Sequence, residues 1–233
     1  MFIFTIERMR KMVLMLLAVC ALAISYPTDA FARLKTKKIT VNSDPDTKIF
    51  VDGKLVGSNT TIIKVEPNST VNVKVEKVGF ITLERNYIND ERHDLPKTDY
   101  LKLEKDDAYE NSFVTNLANQ DIDIRTNHIE DDAWKLISRI ITNSFDVIQV
   151  TDKATGYMCT AWVVKNFKAA TIRTRLIIKT GSSDPLTYKA KLVSEIAPAG
   201  TAASADESFR SWDRLLRTFE NVVPDLQSRL GKN

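Results

Sequence analysis

The sequence predicts a mainly β protein whose second half is α+β. Residues 33–104 consist of short runs rich in β-branched residues separated by turn signals, a pattern typical of a small β-sandwich. Residues 127–233 place an amphipathic helix before four strand-like runs and a second helix after them. The chain has 233 residues, enough for two modest domains. We therefore predict a signal peptide at 1–32, a β-sandwich at 33–104, a connector at 105–126 and an α+β domain at 127–233.

The first 32 residues have the layout of a secretory signal peptide. Arg8, Arg10 and Lys11 form a positive segment, an apolar run follows at 13–24, and Ala30-Phe31-Ala32 supplies a small-x-small cleavage site. The apolar run is shorter than the ~20 residues that a membrane-spanning helix needs. We predict an exported protein of the periplasm or the outer-membrane surface, with no transmembrane segment in the mature chain.

Two features of this leader leave alternatives open. Translation could begin at Met1 or at Met9. The sequence ending at Cys20 resembles a bacterial lipobox, although Val19 stands where a small residue is expected, so a lipid anchor at Cys20 is the second hypothesis. Once the leader is removed, Cys159 is the one remaining thiol and no internal disulfide can form. The net charge of +3 argues against a nucleic-acid partner.

Turn residues organise the first β module. Asp52-Gly53 lies between the apolar runs 48–51 and 54–56, and an Asp-Gly pair favours a type I′ hairpin because both central residues need positive φ. Pro67-Asn68 marks the turn of a second hairpin. The remaining strands are predicted at 38–42, 60–65, 70–75 and 100–103.

Residues 39–103 resemble the PEGA domain family. The resemblance rests on Ser43-Asp44-Pro45, Ile49-Phe50-Val51-Asp52-Gly53, Gly57 and Lys77-Val78-Gly79-Phe80. The eponymous Pro-Glu-Gly-Ala segment is replaced by Pro45-Asp46-Thr47-Lys48, and the Thr-Pro usual after the second glycine is Asn59-Thr60. The resemblance implies a small β-sandwich of a cell-envelope protein and carries over no catalytic residue.

The polar stretch before the second domain contains one of the two histidines. His93 has Asp90, Glu91 and Asp94 nearby, which are metal-ligand residue types in a spacing that is not typical of a metal site. A solvated loop is the better explanation for these residues. We predict no metal site, no cofactor and no catalytic residue. The end of this stretch, at 122–125, is predicted to form an edge strand.

The second domain is predicted to begin with a helix and to end with one. Asn127 is the predicted N-cap, with Glu130 in a capping-box position. The apolar stripe comprises Ala133, Trp134, Ile137, Ile140 and Ile141. A second helix is predicted at 208–223, on the spacing of its apolar residues, and Pro224 is expected to end or kink it.

Four strands are predicted between these helices, at 145–150, 157–167, 171–180 and 186–196. The second contains Cys159, which is expected to be an inert buried thiol. The last two alternate apolar and polar residues, which predicts an antiparallel sheet covered on one side. If they form a hairpin, five cations lie on its open face: Arg173, Arg175, Lys179, Lys189 and Lys191. These residues are the predicted surface for an anionic partner, and the alternative is that they merely solvate the sheet.

The order helix, four strands, helix resembles the helix-grip domains of the C-type lipoprotein of the outer-membrane assembly machine. The resemblance rests on Ala133-Trp134, on the Asp152 to Gly156 turn and on Thr160-Ala161-Trp162. It concerns fold, and fold alone does not carry function.

Three functions stay open at this point. The first is a non-enzymatic binding or scaffold module of the bacterial cell envelope, whose partner is an envelope protein, an anionic glycan or a lipid headgroup. The second is a carrier that holds a small molecule or lipid between helix and sheet. The third is an envelope glycan hydrolase, which needs two placed carboxylates. Its candidates, Glu130, Asp131, Asp132, Asp152 and Asp184, all have helix-start or turn explanations.

Overall fold

The computed structural model describes residues 34–231. The predicted signal peptide and the lipobox cysteine at position 20 lie outside the described residues. The described chain is mainly β, with few helices, and it contains two hydrophobic cores. One core belongs to residues 34–104, the first unit, and the other to residues 105–231, the second unit. Across these two units, no helix is long and apolar enough to cross a membrane.

The first unit has two sheets that share one core. Its strands are β1 (Lys37–Ser43), β2 (Lys48–Val51), β3 (Lys54–Ser58), β4 (Thr60–Val65), β5 (Ser69–Glu76), β6 (Leu83–Asn89) and β7 (Thr98–Leu101). One sheet has the order β4-β1-β7 and the other β3-β2-β5-β6. The alternating apolar residues of β1, β4 and β5 point inward and are buried. The hairpin predicted at Asp52-Gly53 is confirmed, with φ of 49° and 79° at its two central residues.

A polar contact joins the two sheets of this unit. The Asp99 carboxylate on β7 accepts hydrogen bonds from Arg85 (2.5 Å) and from the Tyr87 hydroxyl (2.8 Å), both on β6. Partial burial opposes ionisation of Asp99, but the hydrogen bonds from Tyr87 and Arg85 outweigh it and lower the pKa of the carboxyl. Strand β6, at the edge of its sheet, is therefore joined to the other sheet by the half-exposed Arg85 and the buried Tyr87.

The second unit is built on a long hairpin. Its strands are β8 (Ser112–Val114), β9 (Ile122–Arg125), β10 (Ile148–Asp152), β11 (Tyr157–Thr160), β12 (Val163–Asn166), β13 (Ala170–Ser183), β14 (Leu186–Pro198), β15 (Arg210–Ser211) and β16 (Arg214–Leu216). Strands β13 and β14 form the hairpin. Strands β11 and β12 both pair with the outer edge of β13, and β9 and β15 both pair with that of β14. Strand β10 extends the sheet beyond β11, and β8 pairs separately with β16.

Three helices belong to this unit: α1 (Asp107–Glu110), α2 (Glu130–Thr142) and α3 (Val222–Leu230). The apolar stripe predicted for α2 is buried. The expected capping box is wrong, because α2 begins after Ile129 and no side chain caps it. The inner faces of α2 and α3 share one core with the apolar face of the sheet, including Ile172, Leu176 and Ile178. Phe145 and Phe219 stack in this core with ring centroids 4.8 Å apart.

The helix predicted at 208–223 is wrong. This stretch contains β15, β16 and two short 3-10 turns, and α3 begins only at Val222. Its apolar residues do recur at helical spacing, but its backbone forms hydrogen bonds with neighbouring strands instead of with itself. The Trp212 amide donates to Ser194 on β14, and Leu215 pairs with Phe113 on β8. Pro224 lies in the first turn of α3, where an amide hydrogen is not needed.

Residues 105–126, predicted to be a polar connector, are folded into the second unit. They supply α1, β8 and β9, and Ala108, Ala118 and Ile124 belong to the core. The Asn119 side chain bonds the Ser194 amide and carbonyl and the Trp212 carbonyl, and so fills the gap between β14 and the chain that follows β15. The edge strand predicted at 122–125 is confirmed.

The two units are joined by backbone hydrogen bonds. Across the junction the Asp106 amide donates to Gly79 at 3.0 Å, and within the first unit the Ile81 amide donates to Glu104 at 2.8 Å. Phe80 and Lys105 form an antiparallel bridge between these bonds. The chain therefore enters the second unit while it is still paired with the first.

Candidate functional site

The candidate site is the open face of the second unit, defined as the side of the β13–β14 sheet that is turned away from α2 and α3. Side chains alternate along each strand, and the register pairs Arg173 with Glu195, Arg175 with Val193, and Lys179 with Lys189. All five predicted cations thus lie on one side of the hairpin. Their surroundings differ, and the differences decide which of them can meet a partner.

Two of the lysines have carboxylate partners, one on β9 and one in the residue just before it. Lys189 lies 3.9 Å from Asp123, and Lys191 lies 3.3 Å from Asp121. The alternation of these aspartates with Ile122 and Ile124 is the sequence signal for this pairing, but it does not reveal which strand β9 joins. Exposed pairs of this kind contribute little to stability, yet they reduce the local positive charge.

Arg173 is not on an open surface, which corrects the expectation for this residue. It is 3 % exposed, and its guanidinium lies 4.2 Å from the Trp162 ring centroid and 3.9 Å from that of Phe209. It forms ion pairs with Glu195 (2.7 Å) and Asp206 (2.5 Å). The chain between β14 and β15 brings Asp206 and Phe209 over this end of the sheet. Arg173 therefore holds that segment in place.

Arg175 is the cation that lacks hydrogen-bond and ion-pair partners among the described residues. Its guanidinium carbon also lies 4.2 Å from the Trp162 centroid. Within residues 34–231, no carboxylate lies within ion-pair distance of it, and its buried Nε has no hydrogen-bond acceptor. Buried donors almost always have a partner, and an unpaired one is costly. The face thus presents a positioned but incompletely bonded guanidinium.

Trp162 owes its place to a break in the second predicted strand. The single strand expected at 157–167 is two strands, β11 and β12, and Ala161 and Trp162, which lie between them, do not pair with β13. Across the break, the Thr160 hydroxyl accepts the Leu176 amide at 2.9 Å. The released residues let the Trp162 ring contact both arginines. The sequence pattern does not reveal this break, because apolar residues continue through it.

Tyr157 and Cys159 lie beside the arginines on the same face. Burial raises the pKa of the Tyr157 hydroxyl, and the nearby Cys159 thiol adds to the effect. Cys159 is buried but lies outside the main core, and its thiol contacts the Thr160 carbonyl at 3.4 Å. Lys179, at the other end of the row, is exposed and pairs with no carboxylate among the described residues.

Other candidate groups have local partners. His93 contacts Asp90 at 2.7 Å in an exposed turn, and across 34–231 no three metal-ligating side chains converge. Asp131 forms an ion pair with Lys153, and Asp152 accepts the Thr155 amide within its turn. These carboxylates are held by helix-start and turn contacts.

Neither a family model nor a curated protein matches this chain. Inferences about its function therefore rest on the chemistry of the open face.

Proposed function

We propose that this chain is an exported bacterial cell-envelope protein that acts as a non-enzymatic binding or scaffold module. In this proposal the first unit is a PEGA-like β-sandwich, the second is a helix-grip-like domain, and the open face of the second binds an anionic partner. Export is supported by the leader at 1–32 and by its cleavage signal.

The observation that carries the proposal is the state of Arg175. A guanidinium placed against Trp162, with no carboxylate partner among the described residues, offers its terminal nitrogens to an oxyanion. Arg173, its neighbour on the strand, is fully engaged and serves to hold Trp162 from the other side. Of the five predicted cations, Arg175 and Lys179 therefore form the proposed binding surface, and Lys191 lies beside them.

The spacing of the two unpaired cations favours a polymer with repeated anionic groups. Arg175 and Lys179 are four residues apart on one extended strand, which separates their backbones by roughly 13 Å. Two residues of an acidic chain can place one anionic group against each side chain at that distance, whereas a single small anion meets both only if the two side chains bend toward each other. The sheet that carries the face is also several strands wide. We therefore favour an acidic glycan as the partner class.

The test compares salt-dependent retention on an immobilised acidic polysaccharide. The wild-type chain is expected to bind at low salt, and the double variant Arg175→Gln, Lys179→Gln is expected to elute at clearly lower salt. The matched control is Lys38→Gln, Lys64→Gln, which removes the same charge from two exposed lysines paired across β1 and β4. Retention of the control should match the wild type, because long-range charge is screened by salt.

Two outcomes contradict the proposal. Equal losses in both double variants mean that only net charge matters, and no retention of the wild type removes the acidic glycan as a partner. A parallel assay with vesicles containing an anionic phospholipid separates the glycan from a lipid headgroup, since binding to vesicles alone identifies the membrane surface.

The other two functions have less support. The space between helices and sheet is filled by buried side chains, including the stacked Phe145 and Phe219, which leaves little reason to place a carried ligand there. Of the carboxylates considered for a hydrolase, Asp131 forms an ion pair with Lys153 and Asp152 accepts a hydrogen bond within its own turn, which explains both without a catalytic role.

A further inference from the structure

A cleft lies at the far end of the long hairpin, away from the tip where Lys179 lies. Its volume is about 460 Å³. The walls are mostly apolar and come from Ala169, Ala170, Ile196, Ala197 and Pro198, and Arg210 stands at the side. This volume lies in the range of small-molecule sites, which are mainly apolar with a few polar groups.

Three chain segments build the cleft. The turn between β12 and β13 supplies Ala169 and Ala170, and the end of β14 supplies the residues from Ile196 to Pro198. Strand β15 closes it, because Arg210 pairs with Ile196 and therefore lies on the same side of the sheet. That side is the apolar one, while Ala197 lies on the opposite side, so the cleft is at the end of the hairpin, five residues along β13 from Arg175.

Arg210 differs from the other arginines of this region. Arg173 has two carboxylate partners, and the buried Arg214 donates to the Ser112 hydroxyl and to the Tyr109 and Ser112 carbonyls. Arg210 is exposed, and no acidic group of residues 34–231 lies within ion-pair distance of it. A cation beside an apolar cleft matches a ligand that has one anionic head and an aliphatic body.

We propose that this cleft binds a small amphipathic carboxylate, with its aliphatic chain against the alanines, Ile196 and Pro198, and its carboxylate on Arg210. Ser208, which also lines the cleft, supplies a hydroxyl near the same end. Burial of the aliphatic chain supplies affinity, and the guanidinium selects an acid over an alcohol or an amine of the same length.

The test is calorimetric titration of the full chain with octanoate, octan-1-ol and octylamine. The wild type is expected to bind octanoate in the millimolar range or tighter and the other two at least several-fold more weakly. Arg210→Gln should weaken octanoate binding about tenfold, as loss of a charge-assisted hydrogen bond does, and leave the alcohol unchanged. Ala169→Leu should weaken both, because it fills the cleft from an exposed position that does not disturb the core.

The control is Arg175→Gln, which removes an arginine from the opposite side of the sheet and should leave octanoate binding intact. Failure of octanoate to bind overturns the proposal. So does equal affinity for octanoate and octan-1-ol, or an Arg210→Gln variant that binds octanoate as the wild type does.

Discussion

Replacing Arg173 by alanine is expected to destabilise the second unit by about 4 kcal/mol. Removing one partner of a buried ion pair costs ~3–5 kcal/mol, and the lower end applies because the Glu195 side chain is 24 % exposed and can be rehydrated. The two aromatic contacts add roughly 0.5 kcal/mol each. The Asp206 pair adds nothing to this sum, since that side chain is 79 % exposed and its attraction is screened.

The measurement is urea unfolding followed by tryptophan fluorescence. All three tryptophans, at positions 134, 162 and 212, belong to the second unit, so the signal is insensitive to the first. Arg210→Ala is the matched control, because it removes an exposed and unpaired arginine and should change stability by less than about 0.5 kcal/mol. A loss below about 1 kcal/mol in Arg173→Ala refutes the view that this residue holds the segment after β14.

Two further predictions concern a turn and a carboxyl group. Gly156→Ala should lower the stability of the second unit by about 2 kcal/mol or more in the same fluorescence assay, because φ is 67° and the new methyl would lie 2.0 Å from the Thr180 hydroxyl; wild-type stability would contradict this. The lowered pKa of Asp99 stabilises the folded first unit above the unfolded value of about 3.9, and this contribution is lost as the pH falls through the folded pKa. The unfolding temperature, measured by circular dichroism, should therefore fall less between about pH 6 and about pH 3 in Asp99→Asn than in the wild type. Equal falls in unfolding temperature would exclude this carboxyl as a cause of acid destabilisation.

Local patterns predicted those parts of the fold that local chemistry determines. The Asp52-Gly53 hairpin follows from the φ preferences of two residues, and the alternation in β13 and β14 follows from having one buried face. Strand β6 was not predicted because its sequence, LERNYIN, is mostly polar, and the pairing of Arg85 with Asp99 depends on another sheet. Propensity carries no information about a partner that lies elsewhere in the chain.

The sequence predicted which strand positions carry the cations of the candidate site, but not which residues surround those cations. Alternation placed the five cations on one side, as the register shows. The burial of Arg173 depends on Asp206 and Phe209, which reach it through a long excursion of the chain after Pro198. The helical spacing of 208–223 pointed to the wrong structure there, because hydrogen bonds to β14 and β8 outweigh the local preference.

The paired junction between Gly79 and Asp106 has a consequence for binding by the whole chain. A flexible linker lets two modules search independently, so that a second contact gains only a modest effective concentration. Here the residues that connect the two units are paired with the first unit at the Phe80–Lys105 bridge, so the connection is short and its backbone is held by hydrogen bonds. The pairing therefore restricts how far the two units can separate at the junction, and a partner that touches both meets them over a narrow range of distances. The junction therefore favours ligands whose repeat length matches the spacing of the two units.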